Sequence, residues 1–240
     1  MRRRWIADTV SPAHGHPTHA ALIGNQAVHL ARVLRAQPGQ IFDVVAAGFL
    51  HRAEVTNVAP DRVDFVLHEE LDSDHALPLH LYLAIFKFDH FEWAVEKATE
   101  LGVARITPIF ACRTEKHLAQ AAAKRVERWR RIAHEASQQS RRTTVPEVSD
   151  PTPLKLALER EQAPFRILLS ETEQTLTLAS ALTVTTEFLA LAIGPEGGWT
   201  PEEIALFTTY AWTHVTLGPR ILRAETAAIA AIAIAGSHLG

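Results

Sequence analysis

The residue types and spacings that could do chemistry in this 240-residue chain concentrate in two segments. One is Ile193-Gly194-Pro195-Glu196-Gly197-Gly198-Trp199; the other is Leu217-Gly218-Pro219-Arg220-Ile221-Leu222-Arg223-Ala224-Glu225-Thr226. Glycine admits positive φ and lets backbone approach a ligand closely. Two such turns side by side would expose amide donors and carbonyl acceptors unshielded by long side chains, with Glu196, Arg223 and Glu225 as charged groups among them. Neither segment is a G-x-G-x-x-G dinucleotide fingerprint, and Gly-Pro-Glu-Gly-Gly lacks the Lys-Ser/Thr of a phosphate loop. A single glycine turn is compatible with an ordinary strand-to-helix connection; the pair points to a site.

The elements that must position these segments follow from the flanking residues. Continuous apolar runs, Phe188 to Ile193 and Val215 to Leu217, predict strands covered on both faces, as in a parallel sheet. Glycine turns at neighbouring strand ends make a crevice where open α/β sheets place ligands. Thr200 caps the next helix, Pro201 suits its first position, Glu203 completes a capping box, and Trp199 and Ile204 are spaced as a staple.

Upstream, Ile41–Val45, His51–Val58 and Arg62–Leu67 read as strands, Asn57–Asp61 as a hairpin-like connection, and Gly24–Leu34 as a helix. The acidic stretch Glu69–Asp74 reads as a linker between residues 1–74 and 75–240. Beyond it strands and helices alternate, as in a mostly parallel α/β sheet. Leu79–Phe86 is a predicted strand, followed by a helix Asp89–Leu101 with an Asp89-x-x-Glu92 capping box and Gly102 as its stop. Ile106–Phe110 is a strand, Leu118–Ser137 one long helix, Pro153–Glu161 a short helix and Phe165–Ser170 a strand. Thr226–Ala235, almost only Ala and Ile, predicts a helix buried nearly all round, either in the core or against a second subunit.

Composition narrows the class. Apolar residues make up 47% and charged residues 21%, enough for a packed core in a soluble chain, and the formal net charge is −3. Charge is uneven: residues 1–35 hold five Arg against one Asp, net +4, and residues 143–240 hold five basic and eleven acidic side chains, net −6. A basic face beside an acidic remainder fits local phosphate contact better than general polyanion binding. Cys112, the single cysteine, excludes an intrachain disulfide and a cysteine zinc site, and reads as a small buried side chain. His14, His16 and His19 lack a fourth ligand, so no metal is expected. No apolar N-terminal stretch resembles a secretion signal, and Ala224–Gly236 is too short to span a bilayer, so the expected location is cytoplasmic.

The two glycine segments closely resemble motifs of the 16S (small-subunit) ribosomal RNA uridine-N3 methyltransferase family, within the SPOUT superfamily of knotted methyltransferases. Glu100-Leu101-Gly102-Val103 with Ile106-Thr107-Pro108, Gln139-Ser140-Arg141-Arg142 with Val145-Pro146-Glu147-Val148, and His29-Leu30-Ala31-Arg32-Val33-Leu34-Arg35 extend the resemblance over nearly the whole chain. It implies a SPOUT-type α/β domain with a C-terminal trefoil knot, preceded by a small PUA-like β-barrel domain that helps grip RNA. It also implies a homodimer, S-adenosyl-L-methionine as cofactor, and a uridine of 16S ribosomal RNA in the small ribosomal subunit as target, with no membrane partner. Another SPOUT RNA methyltransferase with a different base or ribose target, and a non-catalytic RNA-binding protein, stand as alternatives.

Carried residue by residue, the resemblance makes Ser170, Glu171, Ile193, Gly194, Pro195, Glu196, Gly197, Gly198, Leu217, Gly218, Ile221, Leu222, Arg223 and Thr226 the cofactor-binding set. Leu217, Ile221 and Leu222 would sandwich adenine while backbone groups read its edge. Arg223 is the catalytic candidate, stabilising charge on the uracil carbonyls as N3 loses its proton; a salt bridge to Glu225 or to the other subunit is open to it as well. RNA contact falls to Arg2, Arg3, His29, Arg32, Arg35, Lys87, Arg141 and Arg142. The sequence departs from the family at Phe88 (usually Gly), Gln138 (usually Glu), Arg141 (usually Gly) and Thr144 (usually basic), all in the expected RNA-facing regions. No residue stands out as general base.

Overall fold

A computed structural model describes residues 4–13, 16–72, 75–182 and 188–239. The chain forms two compact units, Met1–His75 with Ser137–Thr144, and Ala76–Ala136 with Val145–Gly240.

The first unit is a six-stranded sheet in the order β1-β4-β5-β6-β3-β2. Its strands are β1 (Trp5–Ile6), β2 (Thr9–Ala13), β3 (His16–Ile23), β4 (Ile41–Ala46), β5 (Phe49–Val58) and β6 (Arg62–Leu71). β1 runs parallel to β4; the other pairs are antiparallel. Trp5, Leu22, Leu30, Val44, Val55 and Phe65 fill its core. Two expectations change here. The helix over Gly24–Leu34 is one α-helical turn, α1 (Asn25–Val28), that widens into a π-helical turn, His29–Val33. This turn buries Leu30 and leaves Val33 and Leu34 exposed. The acidic linker starts late, because Glu69–Leu71 stays in β6: Glu70 pairs with His51 of β5, and Arg52 Nη1 holds Glu69 Oε1 at 2.6 Å.

The second unit is an all-parallel sheet in the order β10-β8-β7-β12-β11-β13, with β9 also paired to β8. In chain order come β7 (Leu77–Ala84), α2 (Phe88–Glu100), β8 (Val103–Phe110), α3 (Lys116–Ala122) and α4 (Val126–Gln139). Then follow β9 (Glu147–Val148), β10 (Thr152–Pro153), α5 (Leu154–Arg160), β11 (Phe165–Leu169), α6 (Leu178–Ala181), β12 (Leu189–Ile193), α7 (Pro201–Thr209), β13 (Thr213–Val215) and α8 (Ala224–Leu239).

Alternation along the strands explains why both faces are covered. Leu79, Leu81 and Leu83, with Leu189, Leu191 and Ile193, pack under α2, α4 and α8 beside Phe91, Trp129 and Ile232. Their neighbours Tyr82, Ala84, Ala190 and Ala192 face α5 and α7 beside Leu158, Phe207 and Trp212. On that second face His80 Nδ1 lies 2.6 Å from Glu161 Oε2, the Tyr82 hydroxyl donates to the same oxygen at 2.8 Å, and the Ala163 amide donates to Oε1.

Several local expectations are corrected. α2 starts at Phe88 with no side-chain cap: Glu92 turns to Arg128 (2.7 Å) and Arg125 (3.5 Å) in place of a capping box, while Gly102, at φ +98°, does end the helix. The long helix is broken by a 3₁₀ turn at Ala123–Arg125, which no Gly or Pro marks. Cys112 is exposed, because the chain has left β8 two residues earlier. In α8 only one face is buried, along Ala224, Ala228, Ala231, Ile232 and Ala235; Thr226 and Ala233 are exposed and Ile229 and Ala230 half-buried. Among the described residues no helix is long and apolar enough to cross a membrane.

Candidate active site

A cavity of about 870 Å³ opens at the carboxyl ends of β11, β12 and β13. These three strands are neighbours in the order β12-β11-β13, so the loops that leave them converge. Its walls are Leu169–Glu171 after β11, Ile193–Glu196 with Gly198 and Trp199 after β12, and Val215–Ala224 after β13 with Ala227 of α8.

The β12 loop is held by its own chemistry. The Gly198 amide donates to Pro195 O at 2.8 Å, closing a turn, and Gly198 takes φ +69°, the left-handed region. A Cβ there would also come within 3.3 Å of Glu171 Oε2, so this carboxylate lies directly beneath the loop. The capping box forms as expected: Thr200 Oγ1 accepts from the Glu203 amide, and Glu203 Oε2 accepts from the Thr200 amide at 2.9 Å. Trp199 folds back, donating Nε1–H to Leu169 O at 3.1 Å and standing edge-on to Phe207. Its indole covers Gly194 so closely that a Cβ would meet Cε2 and Nε1 at 3.0 Å. Glycine at 194 thus leaves room for the Trp199 indole, a reason the strand-turn pattern did not reveal. In the β13 loop Gly218 takes φ +112° with open space where a Cβ would point, and its amide donates to Thr216 Oγ1.

Twelve of the fourteen expected cofactor residues line the cavity: Ser170, Glu171, Ile193, Gly194, Pro195, Glu196, Gly198, Leu217, Gly218, Ile221, Leu222 and Arg223. Gly197 and Thr226 do not. Gly197 turns its carbonyl outward to Arg113 Nη1, and Thr226 lies exposed on α8. Trp199, Thr216, Glu173 and Arg220 also line the cavity, outside the expected cofactor set. Glu173 is occupied locally: bonds from the Thr175 hydroxyl and the Leu176 and Thr175 amides hold its carboxyl down at about 2. Ile221, also at the cavity wall, is 87% exposed.

Arg223 is exposed at the cavity wall. Among the described residues Glu225 does not pair with it; Glu225 is buried, with Oε1 3.2 Å from His90 Nδ1. No group of three or more His, Cys, Asp or Glu among the described residues is placed to hold a metal ion.

The expected RNA-contact residues divide. His29, half-buried against Trp5, lies in the π-helical turn with exposed Arg32; exposed Arg35 follows it at φ +53°. Exposed Lys87 is the N-cap of α2. Arg141 is exposed at φ +63°, and its carbonyl accepts from the Arg4 guanidinium. That backbone explains why glycine is usual at this position, since the left-handed region suits it. Arg142 departs from expectation: it is only 9% exposed, and burial pulls its guanidinium down to about 10. Arg2 and Arg3 lie outside the described residues.

Known proteins resemble this chain in sequence and in fold. The RNA methyltransferase domain family matches residues 73–236. Ribosomal RNA small subunit methyltransferase E of Bacillus subtilis (strain 168) is 32% identical over 243 residues, covering 97% of this chain and 94% of the relative. The protein of that name from Synechocystis is 34% identical over 210 residues, 85% of this chain and 68% of the relative. Among solved structures, ribosomal RNA small subunit methyltransferase E from Neisseria gonorrhoeae, bound to S-adenosyl methionine, has a TM-score of 0.83 at 29% identity, covering 97% of this chain and 96% of that one. A putative methyltransferase from Legionella pneumophila with bound cofactor SAM has a TM-score of 0.84 at 28% identity, covering 99% and 98%. This chain belongs to the RNA methyltransferase family, alongside the ribosomal RNA small subunit methyltransferases E.

Proposed function

We propose that this protein is an S-adenosylmethionine-dependent methyltransferase acting on N3 of a uridine in 16S ribosomal RNA of the small subunit. The observation that carries the reading is the cavity where three parallel strands end, built from glycine loops and framed by carboxylates and apolar side chains. The residues present fit the cofactor. Gly198 and Gly218 give room for an adenosyl group to meet backbone, Leu217, Ile221 and Leu222 offer apolar faces, and Glu171 and Glu196 offer acceptors for hydroxyl or amino groups.

S-adenosylmethionine, when bound, supplies an activated methyl group, so the protein's work is alignment and charge stabilisation. Arg223, exposed at the wall and unpaired with Glu225, is the residue for the uracil carbonyls: its cation favours the charge left as the N3 proton departs. Arg32, Arg35, Lys87 and Arg141 are exposed and suited to phosphate, and His29 shares the π-helical turn with Arg32. Arg142 is withdrawn from that set by its burial.

The first unit is PUA-like in this reading, and its sheet with the π-helical turn supports that assignment. The segment after β13 forms the trefoil knot; support comes from β12 lying between β7 and β11 while α8 packs on α2. Two chains pair through the bare side of α8, whose Ile229, Ala230 and Ala233 let a second backbone approach. Acting on 16S ribosomal RNA, the protein works in the cytoplasm in this reading. The test is mass analysis of nucleosides from 16S ribosomal RNA of cells with and without the gene. Loss of 3-methyluridine is expected; loss of a different methylated nucleoside, or no change, overturns the reading.

A further inference from the structure

We propose that Arg113, in the loop after β8, is a positioning residue that preorganises the glycine loop 194–199 for its ligand. For the ligand's identity this rests on the reading above. Arg113 Nη1 donates to Gly197 O, across 84 residues of sequence. Its stem lies on Gly197: a Cβ built there would come within 3.3 Å of Arg113 Cδ and 3.4 Å of its Cβ. A Cβ at Gly197 would crowd this stem, so glycine suits a position whose own atoms do not line the cavity.

The base of Arg113 is itself fixed. Thr114 Oγ1 donates to Ile85 O at 3.0 Å, the Thr114 amide donates to Ala111 O at 3.0 Å, and the Cys112 amide donates to Glu203 Oε1 at 2.7 Å. Glu203 takes the Thr200 amide on its other oxygen at 2.9 Å. The β8 loop thus grips the glycine loop at two points, Gly197 through the Arg113 guanidinium and Thr200 through the shared carboxylate. Between them lies Gly198 at φ +69°, over Glu171.

Consecutive glycines lose more backbone freedom on ordering than any other pair. Without the clamp, that ordering falls on ligand binding and weakens it. With it, the Gly197 carbonyl is turned outward and the cavity wall is set beforehand. Arg113 is exposed, so it adds little to the core, and its effect should appear in loop order and ligand affinity more than in global stability.

The test uses the full chain with Arg113→Ala and Arg113→Lys. Three quantities are read: S-adenosylmethionine affinity by calorimetry, amide hydrogen exchange at Gly197 and Gly198 without ligand, and the melting temperature. Arg113→Ala should bind about ten- to a hundredfold more weakly, the range for losing a charge-assisted bond and ordering a glycine on binding. Exchange at Gly197 and Gly198 should rise while melting stays within a few degrees. Arg113→Lys, which keeps stem and charge, should recover part of both losses. Unchanged exchange and affinity in Arg113→Ala overturn the positioning role. A wild type that fails to bind the cofactor, with exchange still raised in Arg113→Ala, overturns the cofactor reading and leaves the clamp standing.

Discussion

Gly194→Ala isolates one contact at the wall of the cavity. Gly194 is not among the positive-φ residues, so alanine meets no backbone penalty there and the cost is steric. The added Cβ would lie 3.0 Å from Trp199 Cε2 and Nε1, where comfortable carbon contacts begin at about 3.5 Å. The indole must retreat by about 0.5 Å or more, and two contacts suffer. The Trp199 Nε1–H bond to Leu169 O, now 3.1 Å, is worth about 0.5–1.5 kcal/mol. The edge-on pair with Phe207, with centroids 4.8 Å apart, is worth a similar ~0.5–1.5 kcal/mol. Replacing glycine also restricts the unfolded chain, offsetting about 0.4–1 kcal/mol. The net expectation is a destabilisation of roughly 0.5–2.5 kcal/mol, a fall in melting temperature of about 1–10 °C for a chain of this size. Urea unfolding in a double-mutant cycle with Trp199→Leu reads the coupling, since alanine should cost almost nothing once the indole is gone. S-adenosylmethionine affinity should fall in Gly194→Ala alone. The reasoning is refuted if Gly194→Ala is equally costly in the Trp199→Leu background, or harmless in both.

Acid should weaken the second unit in two stages. Burial holds His80 below its usual 6.5, and although burial pushes Glu161 up, bonds from His80, the Ala163 amide and Tyr82 outweigh this and hold it at about 2. Both groups bind protons more weakly folded than unfolded, so their stabilisation is full above the unfolded values and lost as pH falls: His80's below about 6.5, Glu161's from about 4.5 towards 2. Urea midpoints should drop from pH 7.5 to pH 5 in the wild type and drop less in His80→Gln; equal wild-type midpoints would remove the argument. For RNA, Arg32→Ala or Arg141→Ala should each lower the logarithmic salt slope by about 0.7–0.9, whereas buried Arg142→Ala should lower stability and leave the slope alone. Arg141→Gly should lose the same slope yet raise stability by about 1 kcal/mol, by relieving the left-handed backbone; a lower melting temperature would contradict the strain. Light scattering at low micromolar concentration should give twice the 26.5 kDa chain mass, and a fully active monomer would exclude pairing through α8.

What the sequence determined by itself lies where interactions are local. The Thr200–Glu203 capping box, the stop at Gly102 and the strand ending at Ile193 depend on residues within a few positions of one another, and all three are found in the structure. The glycine turns were legible because positive φ at Gly198 and Gly218 is a property of the residue itself. The same reasoning failed at Asp89-x-x-Glu92, where local capping lost to Arg125 and Arg128 on an adjacent element. The two-residue strands β9 and β10 carry no pattern long enough to read and exist because β8 offers them an edge. Composition made α8 uniformly apolar, but only packing decided which of its faces the core would cover. Tertiary structure alone assigned Gly197, which answers to an arginine 84 residues away. Glu225, within reach of Arg223 in sequence, was given to His90 instead. Partners so distant in the chain are chosen by the order of the strands, and that order is a property of the whole sheet.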